Sequence, residues 1–168
     1  MVLIVQNDIY IKFEPSNFQQ VANELYYRCK EKLFYRFISS QLVFAYDSHK
    51  TLSLNSCNIL IPTISGINIK FVMAILNSRV AQFLYKNVFN SVKVLRKHIE
   101  SIPIPNISIE KQNDYIKIVD KLLKTYDKLT ICKLYAELDN KIRMLYSLND
   151  NEYNILKLSV DGENKFLY

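Results

Sequence analysis

Ile102-Pro103-Ile104-Pro105 divides this chain into two parts that obey different periodicities. Proline has no N–H, fixes φ and pushes its predecessor to extended backbone. Two prolines two residues apart therefore forbid a continuing helix or a central strand and force an extended connector. Before it, apolar and polar positions alternate in short runs: Val2-Ile4, Ile9-Ile11-Phe13, Phe34-Arg36-Ile38, Leu42-Phe44-Tyr46 and Leu52-Leu54. That is the pattern of half-buried strands. After it, apolar residues recur in steps of three and four at Ile116, Val119, Leu122, Leu123, Tyr126, Leu129, Leu134, Leu138, Ile142 and Leu145. These describe one long helix or a helical pair.

Local signals refine the outline. Tyr46 to Lys50 reads as a hairpin turn, and Asn58 to Pro62 as a buried strand stopped by proline. One helix is predicted from Asn68 to Tyr85 and a short one near Leu95–Ser101. Ser108 is a helix N-cap with Glu110 in the first turn, and Asp150 opens a last helix to about Leu158. The fold class is α+β, a small mixed or antiparallel sheet with packed helices. Residues 1–108 form one domain, and 109–168 a helical segment that braces it or docks a partner.

Several chemistries are excluded. With only Gly66 and Gly162, no glycine-rich turn can bring a backbone against a phosphate or nucleotide cofactor, so an S-adenosylmethionine site is not expected. Cys29, Cys57 and Cys132 are scattered and odd in number, which argues against a disulfide framework and for a reducing compartment. Two histidines without metal-ligand spacing give no zinc site. Asp139-Asn140-Lys141 and Glu163-Asn164-Lys165 carry the tail of a metal-dependent nuclease pattern without the partnering strand carboxylate. No membrane helix or signal peptide is recognisable, so a cytoplasmic location follows by default. The chain is expected to bind rather than catalyse, with no metal or cofactor of its own.

Charge indicates what it binds. From Ser48 to Ile99 the chain carries Lys50, Lys70, Arg79, Lys86, Lys93, Arg96 and Lys97 and no acid. Residues 1–108 hold 12 Lys/Arg against 6 Asp/Glu, whereas 109–168 hold 10 of each, so the net charge of +6 belongs to the first part. A one-signed field suits a polyanion, because acids repel phosphates and cations gain by releasing counterions.

The blocks YRFISSQLVFAYD (Tyr35–Asp47), SLNSCNILIP (Ser53–Pro62), FVMAILNSRVAQFLY (Phe71–Tyr85), FNSVKVLRKHIESIPIP (Phe89–Pro105) and ELDNKIRMLYSLNDNEYNIL (Glu137–Leu156) resemble the TaqI-like C-terminal specificity domain over about residues 30–158. That family supplies target recognition to type II restriction-modification enzymes and adenine-specific DNA methyltransferases. The resemblance implies an α+β unit that grips double-stranded DNA opposite a separate methyltransferase catalytic domain or subunit. That partner would hold S-adenosylmethionine and the flipped adenine. The chain is then expected to be either an excised domain or a stand-alone subunit. The helix after the proline connector also resembles the assembly helices of type I specificity subunits, an alternative role.

Phosphate contacts set register and base contacts set sequence. The candidates for phosphate docking are Lys86, Lys93, Arg96 and Lys97, clustered around a loop and a helix start. For base reading they are Arg36, which can pair with guanine, and Asn55, Asn58 and Asn90, which can pair with adenine. Ser39, Ser40 and Ser91 can bond to bases or phosphates. Because Ser39, Ser40 and Asn55 fall in shared blocks, readers are also expected in the first 30 residues or around His49 and Lys50. Tyr26, Tyr27, Phe34 and Tyr35 either stack on bases or fill the core.

Overall fold

A computed structural model describes residues 13–19, 21–53 and 56–161. The strands expected at Val2-Ile4 and Ile9-Ile11 and the candidate reader Asn55 lie outside them, as do Leu54 and the Glu163-Asn164-Lys165 triplet. After a short helix α1 (Glu24–Tyr27) come three strands, β1 (Lys32–Arg36), β2 (Phe44–Asp47) and β3 (Cys57–Leu60). The sheet is antiparallel in the order β2-β1-β3, so β1 is central. It pairs Tyr35 with Phe44 on one side and Arg36 with Cys57 on the other. The alternation that predicted strands is visible in β1, where Leu33 and Tyr35 are buried and Arg36 is exposed.

Tyr46–Lys50 is not a hairpin, because β2 and β3 do not pair with each other. The Asp47 carboxylate organises that segment instead. It accepts from the Thr51 N–H at 3.1 Å and hydroxyl at 2.6 Å, and from the buried Lys32 ammonium. Burial pushes the Asp47 pKa up, but the bonds from Lys32 and Thr51 outweigh it and hold the carboxyl at about 2.

The expected helix over 68–85 is two helices, α2 (Ile69–Leu76) and α3 (Arg79–Val88). Ser78 breaks it by capping the Ala81 N–H. Every residue of α2 from Phe71 to Leu76 is buried, as a helix must be when it lies between two layers. The sheet covers one side and a later helix the other. The helix α4 (Arg96–Glu100) leads into the extended connector, and α5 (Ile109–Leu122) starts at the Ser108 cap as expected. The long apolar stripe is a helical pair: Asp127 caps α6 (Lys128–Leu145), and α7 (Asp150–Asp161) follows. α5 packs on α2 and α7 on α3, so one continuous core runs from Leu33 to Val160.

Side-chain amides complete the frame. Asn77 pairs both ways with the Phe44 backbone at 2.9 Å. Gln82 accepts from the Leu42 N–H at 2.9 Å and donates to its carbonyl at 2.6 Å. Residues 42 and 44 point their backbone groups to the same edge, so the two amides stand where a further strand would and cover that edge of β2. The wholly buried Gln112 links two loops to α5, accepting from Asn68 and donating to the carbonyls of Gly66 and Ile107.

Candidate nucleic-acid interface

The cations of the acid-free span divide into groups with different roles. Lys70 is bonded to Asp120 of α5 at 2.6 Å. Arg79 lies between Asp139 of α6 at 3.1 Å and Asp161 of α7 at 2.8 Å. Lys86 donates to the Ser159 carbonyl of α7 at 2.9 Å. These three tie the N-terminal part to the C-terminal helices, whose acids answer Lys70 and Arg79 and whose backbone answers Lys86. The span is therefore not one uninterrupted polyanion surface, and the direction in which Lys86 points separates it from the other phosphate candidates.

A second group meets at the end of the sheet where β1 finishes. The β1 ladder continues past Arg36, with the Val94 N–H donating to Phe37 and the Ser39 N–H to Val92, each at 2.8 Å. Ile38 and Lys93 are antiparallel partners there. This short ribbon gathers exposed Arg36, Ser40, Asn90 and Lys93, and half-buried Ser39 and Ser91. Ser91 shapes the loop: its hydroxyl accepts from the Lys93 N–H and donates to the Lys93 carbonyl, both at 3.1 Å. Asn90 holds a left-handed φ of 39° at the turn.

Arg96 and Lys97 open α4 immediately after the ribbon, and both are exposed. Arg96 is bonded to Glu100 at 2.7 Å, an exposed pair four residues apart. Such a pair contributes little and exchanges readily for a phosphate. Burial raises the Tyr35 phenol pKa, opposed by its Asn58 hydrogen bond and by the nearby Arg96 charge. Asn58 thus faces Tyr35 from β3 on the inner side of the sheet, while Arg36 and Cys57 share the outer side. His98 is buried and stacked on Phe89 with 4.4 Å between ring centres, while its Nδ1 accepts from the Leu95 N–H. It steadies α4 from below.

Lys50 lies elsewhere. It follows β2 at the Lys32–Asp47 end, and its carbonyl accepts from Arg28 at 3.2 Å. Four residues of β1 separate that end from Arg36, so Lys50 does not join the ribbon cluster. Along β3 runs a groove of about 1310 Å³ whose lining includes Tyr26, Tyr27, Tyr35, Asn58, Arg96 and Ile102. Tyr35 is core, as strand aromatics commonly are, whereas Tyr26 is 56% exposed at the groove.

The structure brings together Arg36, Ser39, Ser40, Asn90, Ser91, Lys93, Arg96 and Lys97, with Asn58 beside them on β3. What composition did not point to are Ile38 and Val92, exposed at 66% and 63% in the same ribbon. Alternation marks Ile38 as a strand residue, but nothing in the sequence says that its face meets water. No group of His, Cys, Asp or Glu suited to a metal ion occurs among the described residues, and no helix there is long and apolar enough to cross a membrane.

Comparison with curated proteins finds no match to the chain. A family model, the TaqI-like C-terminal specificity domain, matches residues 3–104. The match reaches further towards the N-terminus than the resemblance over 30–158 and stops in the proline connector, so α5, α6 and α7 lie outside it. With more than half its length matched, the chain belongs to the TaqI-like C-terminal specificity domain family.

Proposed function

We propose that this chain is the DNA target-recognition part of a restriction-modification system and serves an adenine-specific DNA methyltransferase whose catalytic domain or subunit binds S-adenosylmethionine. Specificity domains of this family carry target recognition in restriction-modification enzymes, and a specificity domain is what the family comparison finds here. The supporting observation is the coincidence at one end of the sheet of a projecting ribbon with Arg36, Lys93, Arg96 and Lys97. Positioning is the mechanism. The four cations dock on phosphates, nearby amide and hydroxyl side chains meet base edges, and the duplex is held for a partner that flips adenine. The C-terminal helices brace the recognition part through Asp120, Asp139 and Asp161.

Charge reversal tests this reading. Arg96→Glu with Lys97→Glu is expected to weaken binding to every duplex by at least about tenfold at moderate salt, irrespective of sequence. Unchanged affinity would remove this end of the sheet from the interface. Methylation of adenine in duplex DNA by a reconstituted catalytic partner, lost with the same double variant, would extend the result to the whole enzyme.

A further inference from the structure

We propose that Ile38 is an apolar reading residue that buries a thymine 5-methyl group when the outer face of the ribbon enters the major groove of duplex DNA. The proposal rests on the DNA-recognition reading above and deepens it.

Ile38 and Val92 lie next to each other in the ladder but on opposite faces. Ile38 and Lys93 form a non-hydrogen-bonded pair, the closer of the two antiparallel pairings, so their side chains are neighbours. Val92, one position on, lies across from Ser39 on the other face. Ile38 is 66% exposed beside exposed Lys93, so the outer face of the ribbon meets solvent, whereas the face of Val92 turns to the core at buried Val94. The outer face thus presents a stiff β-branched side chain to water beside a cation. Its geometry is fixed from behind, where the Tyr85 hydroxyl donates to the Ser91 carbonyl at 2.7 Å.

The neighbours decide what can cover Ile38. An apolar protein surface placed on Ile38 would also bury the Lys93 ammonium beside it, at the cost of removing an unpaired charge from water. Duplex DNA offers apolar and anionic groups together. The major groove, about 12 Å wide, admits a two-stranded ribbon, and the apolar group displayed on its base edges is the thymine methyl. Phosphates flank it within reach of Arg36 and Lys93.

The test selects bound duplexes from a randomised pool with the full chain, then remakes the enriched duplex with deoxyuridine in place of thymidine. The wild type is expected to lose about fourfold in affinity for the methyl that Ile38 buries. The Ile38→Ser variant is expected to bind both duplexes equally, at the wild-type level for the uridine form. Its melting temperature should match the wild type's, because the side chain is exposed. Arg96→Glu with Lys97→Glu should weaken both duplexes alike and keep their ratio. Equal wild-type affinity for the two duplexes would overturn the proposal, as would a serine variant that keeps the thymine preference. A serine substitution without any effect on DNA would overturn the proposal and assign Ile38 to a protein surface. Selection that enriches no sequence, with charge reversal still weakening binding, would sink the methyl reading and leave phosphate docking intact. No duplex binding at all would sink both.

Discussion

Counterion release makes the number of cations docked on phosphate measurable, and the proposed interface predicts that number. For duplex DNA the logarithm of affinity falls with the logarithm of salt concentration with a slope of about −0.9 per phosphate neutralised. If all seven cations of the acid-free span faced DNA, the slope would be about −6. Lys70, Arg79 and Lys86 are instead committed to Asp120, to Asp139 and Asp161, and to the Ser159 carbonyl, and Lys50 lies at the other end of the sheet. Lys93, Arg96 and Lys97 remain, and Arg36 of β1 joins them from outside the span. Four contacts give a slope of about −3.6, a loss of about 150-fold between about 50 and 200 mM salt. Fluorescence anisotropy of a labelled duplex across that range reads it directly.

Two variants separate the roles. Arg96→Glu with Lys97→Glu should bring the slope to about −1.8, whereas Lys86→Ala should leave it unchanged. Lys86→Ala should instead lower folding stability by about 1–2 kcal/mol, since it removes a charged donor from α7. A wild-type slope near −6 would return the helix-facing cations to the interface. A slope shallower than about −1 would dismiss phosphate docking. A Lys86 variant that lost as much slope as a Lys97 variant would refute the division between structural and interfacial cations.

Further outcomes follow from the frame. Gln82→Leu strands the backbone N–H and carbonyl of Leu42, and urea unfolding should show a loss of about 2–4 kcal/mol. Asp139→Ala removes the acceptor of the Arg79 guanidinium, the Arg79 N–H and the Tyr153 hydroxyl. It should cost about 3 kcal/mol, with Asp161 keeping part of the Arg79 charge compensated, while Tyr153→Phe should cost about 1 kcal/mol. The Asp47 carboxyl titrates at about 2 against an ordinary 3.8, so its folded form favours ionisation. Its contribution, roughly 2 kcal/mol, is present above about pH 4 and is lost as pH falls towards 2. The stability difference between wild type and Asp47→Asn should therefore shrink to near zero at that acid limit.

The sequence announces what depends on near neighbours. Periodicity locates the strands around residues 34 and 44, the proline connector and the capped starts of α5 and α7, because alternation, proline sterics and capping act over a few residues. It runs straight across the breaks at Asn77-Ser78 and Thr125-Asp127, because the apolar stripe keeps its phase while a cap ends the helix. Asn77 shows why this stays hidden: its side chain bonds to Phe44, and no local signal names that partner. Strand partnership is hidden for the same reason, and a hairpin joining β2 to the next strand looks plausible until β1 takes the position between them. The candidate site divides similarly. Lys86, Lys93, Arg96 and Lys97 read as a cluster because they lie close in sequence, but the turn of Lys86 towards α7 and the junction of the others with Arg36 and Ser39 depend on the fold.

The charge asymmetry then has two physical uses. Acids are missing between Ser48 and Ile99 partly because acids from α5, α6 and α7 arrive from outside the span and meet its inward cations. A local acid beside Arg79 would compete with Asp139 and Asp161 for the same guanidinium. Once those pairs are set aside, three of the span's four remaining cations, Lys93, Arg96 and Lys97, stand where β1 runs out, and the helix-facing ones hold the platform behind them. A concentrated field at a projecting ribbon orients an approaching duplex more strongly than the same charge spread over a sphere, because each phosphate gained lies next to another cation. On the proposed reading the helices that contribute no net charge also act on recognition, since loosening the Arg79–Asp139 tie would let α3 shift, and with it the Tyr85 hydroxyl that fixes the ribbon's return strand.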